Sequence, residues 1–183
     1  MPHALAPIAL LAIALSSALL AAPLADAAPA ASDAAQPATR PAGLRVMSYN
    51  IRYANRGDGD NGWDRRREML IANIKACDPD LLGLQEVLAA QGDYVKEQLP
   101  GYEYVGGGRD DGKRAGEASP VLFRKSRFEL VASGQFWLSP TPEQVGSKGW
   151  DAALPRIATW AKLTDRATGR AVFFINTHWD HVG

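Results

Sequence analysis

The chain has one cysteine, Cys77, and three histidines among 183 residues. A single thiol excludes an intrachain disulfide and argues against a cysteine-based zinc site. At the end of a helical pattern, Cys77 reads as a small buried apolar residue. Neither sign of charge is in excess: 20 Lys and Arg stand against 20 Asp and Glu. That balance removes the simplest case for a nucleic-acid binder, a strong basic surplus, but leaves room for a local basic stripe. A Gly-rich phosphate loop is also missing, because Gly106-Gly107-Gly108 runs into Arg109-Asp110-Asp111-Gly112 with no helix after it. No internal repeat is present.

Long apolar runs are scarce too. The one such run spans Ile8 to Ala22, short for a membrane span and without a basic stop-transfer flank. Small residues follow, with an Ala25-Asp26-Ala27 pattern that suits signal peptidase. Residues 1–27 therefore read as an export signal, which places the protein in the periplasm or outside the cell. The leading residues carry no Lys or Arg, so a retained N-terminal anchor is the alternative. Residues 28–43 are Ala/Pro-rich and aromatic-free, too poor in apolar bulk to form a core, and read as a disordered linker. The folded domain is expected over 44–183. No membrane span is expected in the mature chain, and no obligate protein partner is evident.

Within that domain, near alternation from Leu44 to Asn50 reads as a strand. A polar loop follows from Ala54 to Gly62. Asp64 is then expected to cap a helix in which Leu70, Ile71, Ile74 and Cys77 recur at helical spacing, stopped by Pro79. Leu81 to Glu86 is a short apolar strand with a polar end, and Ala89 to Gln98 suits a second helix. After Gly101 the segments Tyr102–Gly106, Ser119–Arg124, Phe128–Trp137, Ile157–Thr164 and Ala171–Thr177 are all strand-like. Thr164 to Gly169 suits a hairpin turn. Strand–helix–strand–helix followed by a run of strands predicts an α/β layered fold with a mixed sheet.

Polar groups end three of these strands: Asn50, Glu86, and the cluster Asn176/His178/Asp180/His181. Open α/β sheets place ligands at strand ends. Each group alone has an ordinary structural explanation, as a turn residue, a surface strand end or a histidine–aspartate pair. Their grouping points to a site. The loop aspartates Asp58 and Asp60 lack the spacing of a calcium loop and read as a rim. Arg65-Arg66-Arg67 reads as a solvated helix face, with Lys113-Arg114 as the other basic cluster.

Five stretches in order now carry a resemblance: VMSYNIR (46–52), DLLGLQEV (80–87), GEASPVLFRKSRFEL (116–130), WDAALPRIATWAKL (150–163) and FFINTHWDHVG (173–183). They resemble the successive motifs of the endonuclease/exonuclease/phosphatase superfamily, the metal-dependent phosphodiesterases of deoxyribonuclease I and exonuclease III type. The resemblance implies a layered two-sheet α/β sandwich. It implies Mg²⁺, with Mn²⁺ as a substitute, held by Glu86 with Asn50 beside it. It further implies that His178 donates to a phosphate oxygen, with Glu117 fixing its far nitrogen, and that Arg156 clamps the phosphate. Asp180 and His181 either touch substrate or pin the loop. Trp179 is either a stacking surface or a rim aromatic that covers the core.

The family's later motifs, Gly-Asp-x-Asn and a Ser-Asp-His-like ending, are absent from the 183 residues. The chain is accordingly expected to represent the first half of its domain, with an uncovered sheet face and little activity by itself. The expected function is hydrolysis of a phosphate ester: nucleic acid, nucleotide, phospholipid head group or sugar phosphate. The alternative is a non-catalytic binding module. An iron facial triad around His178 and Asp180 is a third reading, opposed by the early helix and by Gln85-Glu86.

Overall fold

The fold was obtained as a computed structural model, which describes residues 43–180. The expectations for residues 1–42 and for His181 lie outside them. Seven strands and two α-helices follow one another: β1 (Val46–Asn50), α1 (Trp63–Cys77), β2 (Leu81–Gln85), α2 (Ala89–Gln98), β3 (Tyr102–Val105), β4 (Val121–Arg124), β5 (Phe128–Trp137), β6 (Ile157–Asp165) and β7 (Ala171–Thr177). The strands form two sheets, a mixed one in the order β1-β2-β4-β3 and an antiparallel one in the order β5-β6-β7. This is the layered two-sheet α/β architecture that the sequence predicts.

The 3.6-residue period of α1 puts Leu70, Ile71 and Ile74 on one buried stripe. The helix stops where Asp78 turns left-handed at φ 45°, its N–H bonded to the Ile74 carbonyl, just before Pro79. Two details differ from expectation. Gly62, not Asp64, precedes the helix, and Asp64 lies inside the first turn, where its charge still suits the helix dipole. Cys77 is exposed, because it is the final helical residue and the buried stripe ends one turn earlier. The polar loop is also more ordered than predicted. Arg56–Asn61 forms a short 3-10 segment, opened by the Asn55 side chain accepting from the Gly57 N–H.

Strand β2 is buried along its whole length, as expected of a strand covered on both faces. Its alternation divides the core. Leu82 and Leu84 face the helices and meet Leu70, Ile71, Ile74 and Val95. Leu81 faces the second sheet, where Val121 and Phe123 meet Phe128, Ala161 and Leu163. The layers are therefore helices, mixed sheet and antiparallel sheet. At one end of the inter-sheet layer the buried Asp80 carboxylate accepts from Arg127 Nη1 at 2.6 Å, while Arg127 Nη2 reaches Asp165 at 3.2 Å. The residues just before β2 and β5 and the last residue of β6 thus share one ion network.

At the other end a single amide performs the same task. Asn176 of β7 is buried; its Nδ2 donates to the carbonyls of Leu84, at 2.7 Å, and Pro120, at 2.9 Å. Its Oδ1 accepts from Gln85 Nε2 at 2.7 Å. The pairing of β2 with β4 stops at Gly83–Val121, so the amide fills the fork where the two strands separate. Gly83 makes room for it: a Cβ there would lie 2.6 Å from Asn176 Oδ1. Asn176→Asp sets a carboxylate against two carbonyl oxygens and removes both donors. Urea unfolding should show a loss of at least about 2 kcal/mol. Gly83→Ala should lose about 1–3 kcal/mol by overpacking. Unchanged midpoints would show that the sheets are held elsewhere.

Candidate active site

Because β1 and β2 run parallel, with Asn50 paired to Gln85, their C-terminal ends deliver Asn50 and Glu86 side by side. Asn176 docks β7 over β2, and His178 follows two residues later. The site is thus assembled from three strand ends by two pairings, one of backbone and one of side chains.

Glu86 is held in detail. It adopts φ 61°, a left-handed conformation uncommon for a side-chain-bearing residue. Its Oε1 accepts from Asn50 Nδ2 at 2.9 Å and its Oε2 from the Tyr53 N–H at 3.0 Å. Asn50 is fixed in turn, since its Oδ1 accepts from the Arg52 N–H at 2.9 Å. Arg52 also has positive φ, 55°; strain of this kind gathers where a site dictates backbone direction. Partial burial pushes the Glu86 carboxyl up. The hydrogen bonds from Asn50 and Tyr53, with the His178 and Arg52 charges, outweigh burial and hold it below its ordinary range. His178 Nε2 lies 3.5 Å from Asn50 Nδ2.

The segment after β1 has supports that the sequence reading missed. Gln91 of α2 is wholly buried; its Oε1 accepts from the N–H groups of Ala54 and Leu88, both at 3.1 Å, and its Nε2 donates to the Arg52 carbonyl at 3.0 Å. A glutamine on a short helix carries no signal of this role by itself. Arg66 is not on a solvated face: it donates to the carbonyls of Ile51 and Arg52 and stacks on Trp63. Arg65 does remain outside, bridging Asp60 at 3.4 Å. Asp58 pairs with Arg52 at 2.9 Å, and Arg114 pairs with Asp93 at 2.7 Å.

Arg156, Glu117 and Trp179 border the same cleft, a hollow of about 430 Å³ also lined by Glu86, His178 and Arg109 among others, whereas Asp180 lies beside it. Their partners differ from expectation. Glu117 does not accept from His178; it forms a two-point pair with Arg109, at 3.2 and 3.3 Å. The reason is local. The 107–117 loop is tied to β5 by Gly107 N–H to Gln135 Oε1, and by Trp137 Nε1 to the Arg109 carbonyl, both at 2.7 Å. That placement brings Arg109 back onto Glu117. His178 Nδ1 is buried without a partner, and the histidine shares with Glu117, Arg109 and Ser119 a void of about 10 Å³. Arg156 grips Asp180, its Nε and Nη2 each 2.9 Å from Oδ1, so Asp180 pins the loop after β7. Trp179 covers no core and is largely exposed.

Comparison with known proteins gives the family. Residues 47–166 match the model of the Endonuclease/Exonuclease/phosphatase family. A solved member from Bacteroides vulgatus is 46% identical with a TM-score of 0.75, over 76% of this chain and 54% of the other. A mannosyl-6-phosphatase from Bacteroides thetaiotaomicron is 45% identical with a TM-score of 0.74, over 77% and 53% respectively. The CCR4-Not complex 3'-5'-exoribonuclease subunit Ccr4 of Emericella nidulans is 25% identical over 78% of this chain and 25% of its own length. The chain spans about half the length of the solved relatives and a quarter of that curated one. It belongs to the endonuclease/exonuclease/phosphatase family, whose members hydrolyse phosphoesters.

Folding lowers the Glu86 pKa. Its ionised form therefore adds stability above the ordinary carboxylate range, and that stability fades as pH falls through the folded value. Removing the strongest of the lowering contacts with Asn50→Ala should raise the Glu86 pKa toward the ordinary value. Carboxyl ¹³C chemical shifts followed from pH 7 to pH 3 read this directly, and an unmoved titration would contradict the assigned cause.

Proposed function

We propose that this family member supplies the metal- and phosphate-binding side of a divalent-metal-dependent phosphoester hydrolase, with sugar phosphates as substrate class. The observation that carries the proposal is the ionised Glu86, held between Asn50 and the Tyr53 N–H, with His178 across from it.

The donor set suits magnesium, with manganese as its substitute. Among the described residues no three of His, Cys, Asp and Glu cluster around one point, which disfavours an all-protein cage. Magnesium needs none: it binds through one or two carboxylates, substrate phosphate and retained waters. Glu86 would be the ligand. With Nδ2 on Glu86 and Oδ1 accepting from Arg52, Asn50 holds the carboxylate in place. When bound, the ion stabilises charge developing on phosphoryl oxygens. His178 Nε2 donates to a non-bridging oxygen, and the Arg156 guanidinium forms a positive wall of the cleft. Asp180 sets its orientation.

Sugar phosphate is preferred over nucleic acid on two grounds. The formal charge is zero, which gives little steering toward a polyanion. The relative named as a mannosyl-6-phosphatase is 45% identical, against 25% for the exoribonuclease subunit. In the same reading, residues 1–27 direct export and 28–43 tether domain 44–183. Among the described residues no helix is long and apolar enough to cross a membrane. A second reading is a phosphate-binding module without turnover.

Calorimetry with Mg²⁺ and inorganic phosphate tests the assignment. Glu86→Gln should weaken metal binding at least about tenfold. His178→Ala should spare the metal and weaken metal-dependent phosphate binding about tenfold. Metal affinity unaffected by Glu86→Gln would overturn the reading. Turnover of a phosphate-ester panel separates the two readings: Mg²⁺-dependent hydrolysis that His178→Ala lowers about a hundredfold supports the hydrolase, and phosphate binding without turnover supports the module.

A further inference from the structure

Beside the cleft of Glu86 and His178 lies a second hollow of about 260 Å³. Arg156 and Trp179 line both, so the two adjoin. Leu138, Trp150, Asp151 and Asp180 also border the second hollow. Trp150 and Trp179 are the most exposed of the large apolar side chains, at 78% and 73%. Scattered apolar residues at a surface require no explanation, but two indoles on the rim of one hollow do.

Trp150 is also held there at a cost. Its φ is 51°, a genuine outlier for a bulky residue. The turn that presents it is tightly built. A Cβ on Gly149 would lie 2.5 Å from Ser139 Cα, the Ala152 N–H donates to the Gly149 carbonyl at 3.2 Å, and the Leu138 N–H donates to the Arg156 carbonyl at 2.7 Å. Backbone strain that keeps an indole in water, next to an incipient phosphate site, marks a surface made for contact.

We propose that this second hollow is a sugar subsite: Trp150 and Trp179 receive the apolar C–H faces of a pyranose ring whose phosphate lies at Glu86 and His178. Indoles give flat apolar area at small entropic cost, and the rim carboxylate of Asp151 accepts from ring hydroxyls. A nucleobase would also stack on indole. In a polynucleotide, however, further phosphates would flank the base, next to the exposed carboxylate of Asp151. A neutral polyol meets no such repulsion. The proposal rests on the phosphoester reading and specifies its substrate side.

Trp150→Gly is the informative variant, because glycine removes the indole and accepts the left-handed backbone without strain. Its urea midpoint should equal or exceed that of the parent. Calorimetry with Mg²⁺ should show mannose 6-phosphate binding about tenfold weaker, with inorganic phosphate affinity unchanged. Saturation-transfer NMR should detect methyl mannopyranoside on the parent and lose it in Trp150→Gly. Trp179→Ala should weaken mannose 6-phosphate similarly, and Trp179→Phe should largely restore it. Undiminished mannose 6-phosphate binding by Trp150→Gly would overturn the subsite. So would adenosine monophosphate that binds more tightly than the sugar phosphate and depends more on Trp150. Methyl mannopyranoside that still depends on Trp150, in a protein whose phosphate binding ignores Glu86→Gln, would uphold the subsite and refute the phosphoester reading.

Discussion

The buried amide of Asn176 is the contact on which both the sheet assembly and the site depend. Its two N–H donors and its carbonyl all have partners on the mixed sheet, so its hydrogen-bonding groups are met without water. An amide buried in this way is costly if any one bond is lost, and it therefore specifies a single register between the sheets. Gly83 is the other half of the device, since only a residue without a side chain admits the amide to the backbone. A leucine pair at the same place would join the sheets equally firmly, but it would tolerate sliding.

The site follows from that register. Beyond Gly83–Val121, where the regular β2–β4 pairing stops, the chain turns left-handed at Glu86, and Val87 then bridges Ala118. The carboxylate is aimed by the strand before it and fastened by Asn50 and the Tyr53 N–H. His178 comes within 3.5 Å of the Asn50 amide because Asn176, two residues earlier, is locked over β2. The groups around the cleft are tied to protein partners, Arg109 to Glu117 and Arg156 to Asp180. Such ties give a preorganised wall, which favours a charge that develops during reaction over one that must first pull side chains into place.

The most exposed indoles lie away from the core and beside the cleft. A phosphate pocket alone distinguishes esters poorly, because every ester presents the same anion. In the proposed function, discrimination would fall to whatever borders the leaving group, and the hollow beside the cleft is aromatic and carboxylate-bearing. A chain with balanced charge can thus be selective without a basic surface.

The architecture was largely legible, because apolar periodicity and strand composition are local properties; β5, β7 and α2 stand where the pattern places them. The set of residues lining the cleft was legible in part, since strand ends and the family motifs mark Glu86, Arg156 and His178, with Asn50 beside Glu86. Pairing was not. The expected Glu117–His178 bond gives way to Glu117–Arg109 because a loop tied to β5 returns Arg109 to that carboxylate. Gln91 and Asn176 drew no such reading, as their roles arise from contacts 37 to 92 positions away. The sequence by itself determined the elements, the layered α/β class and the chemical types at the strand ends. The tertiary structure alone decided which polar atom meets which, because a hydrogen bond needs atoms within about 3 Å, a distance that only the packing of distant segments sets.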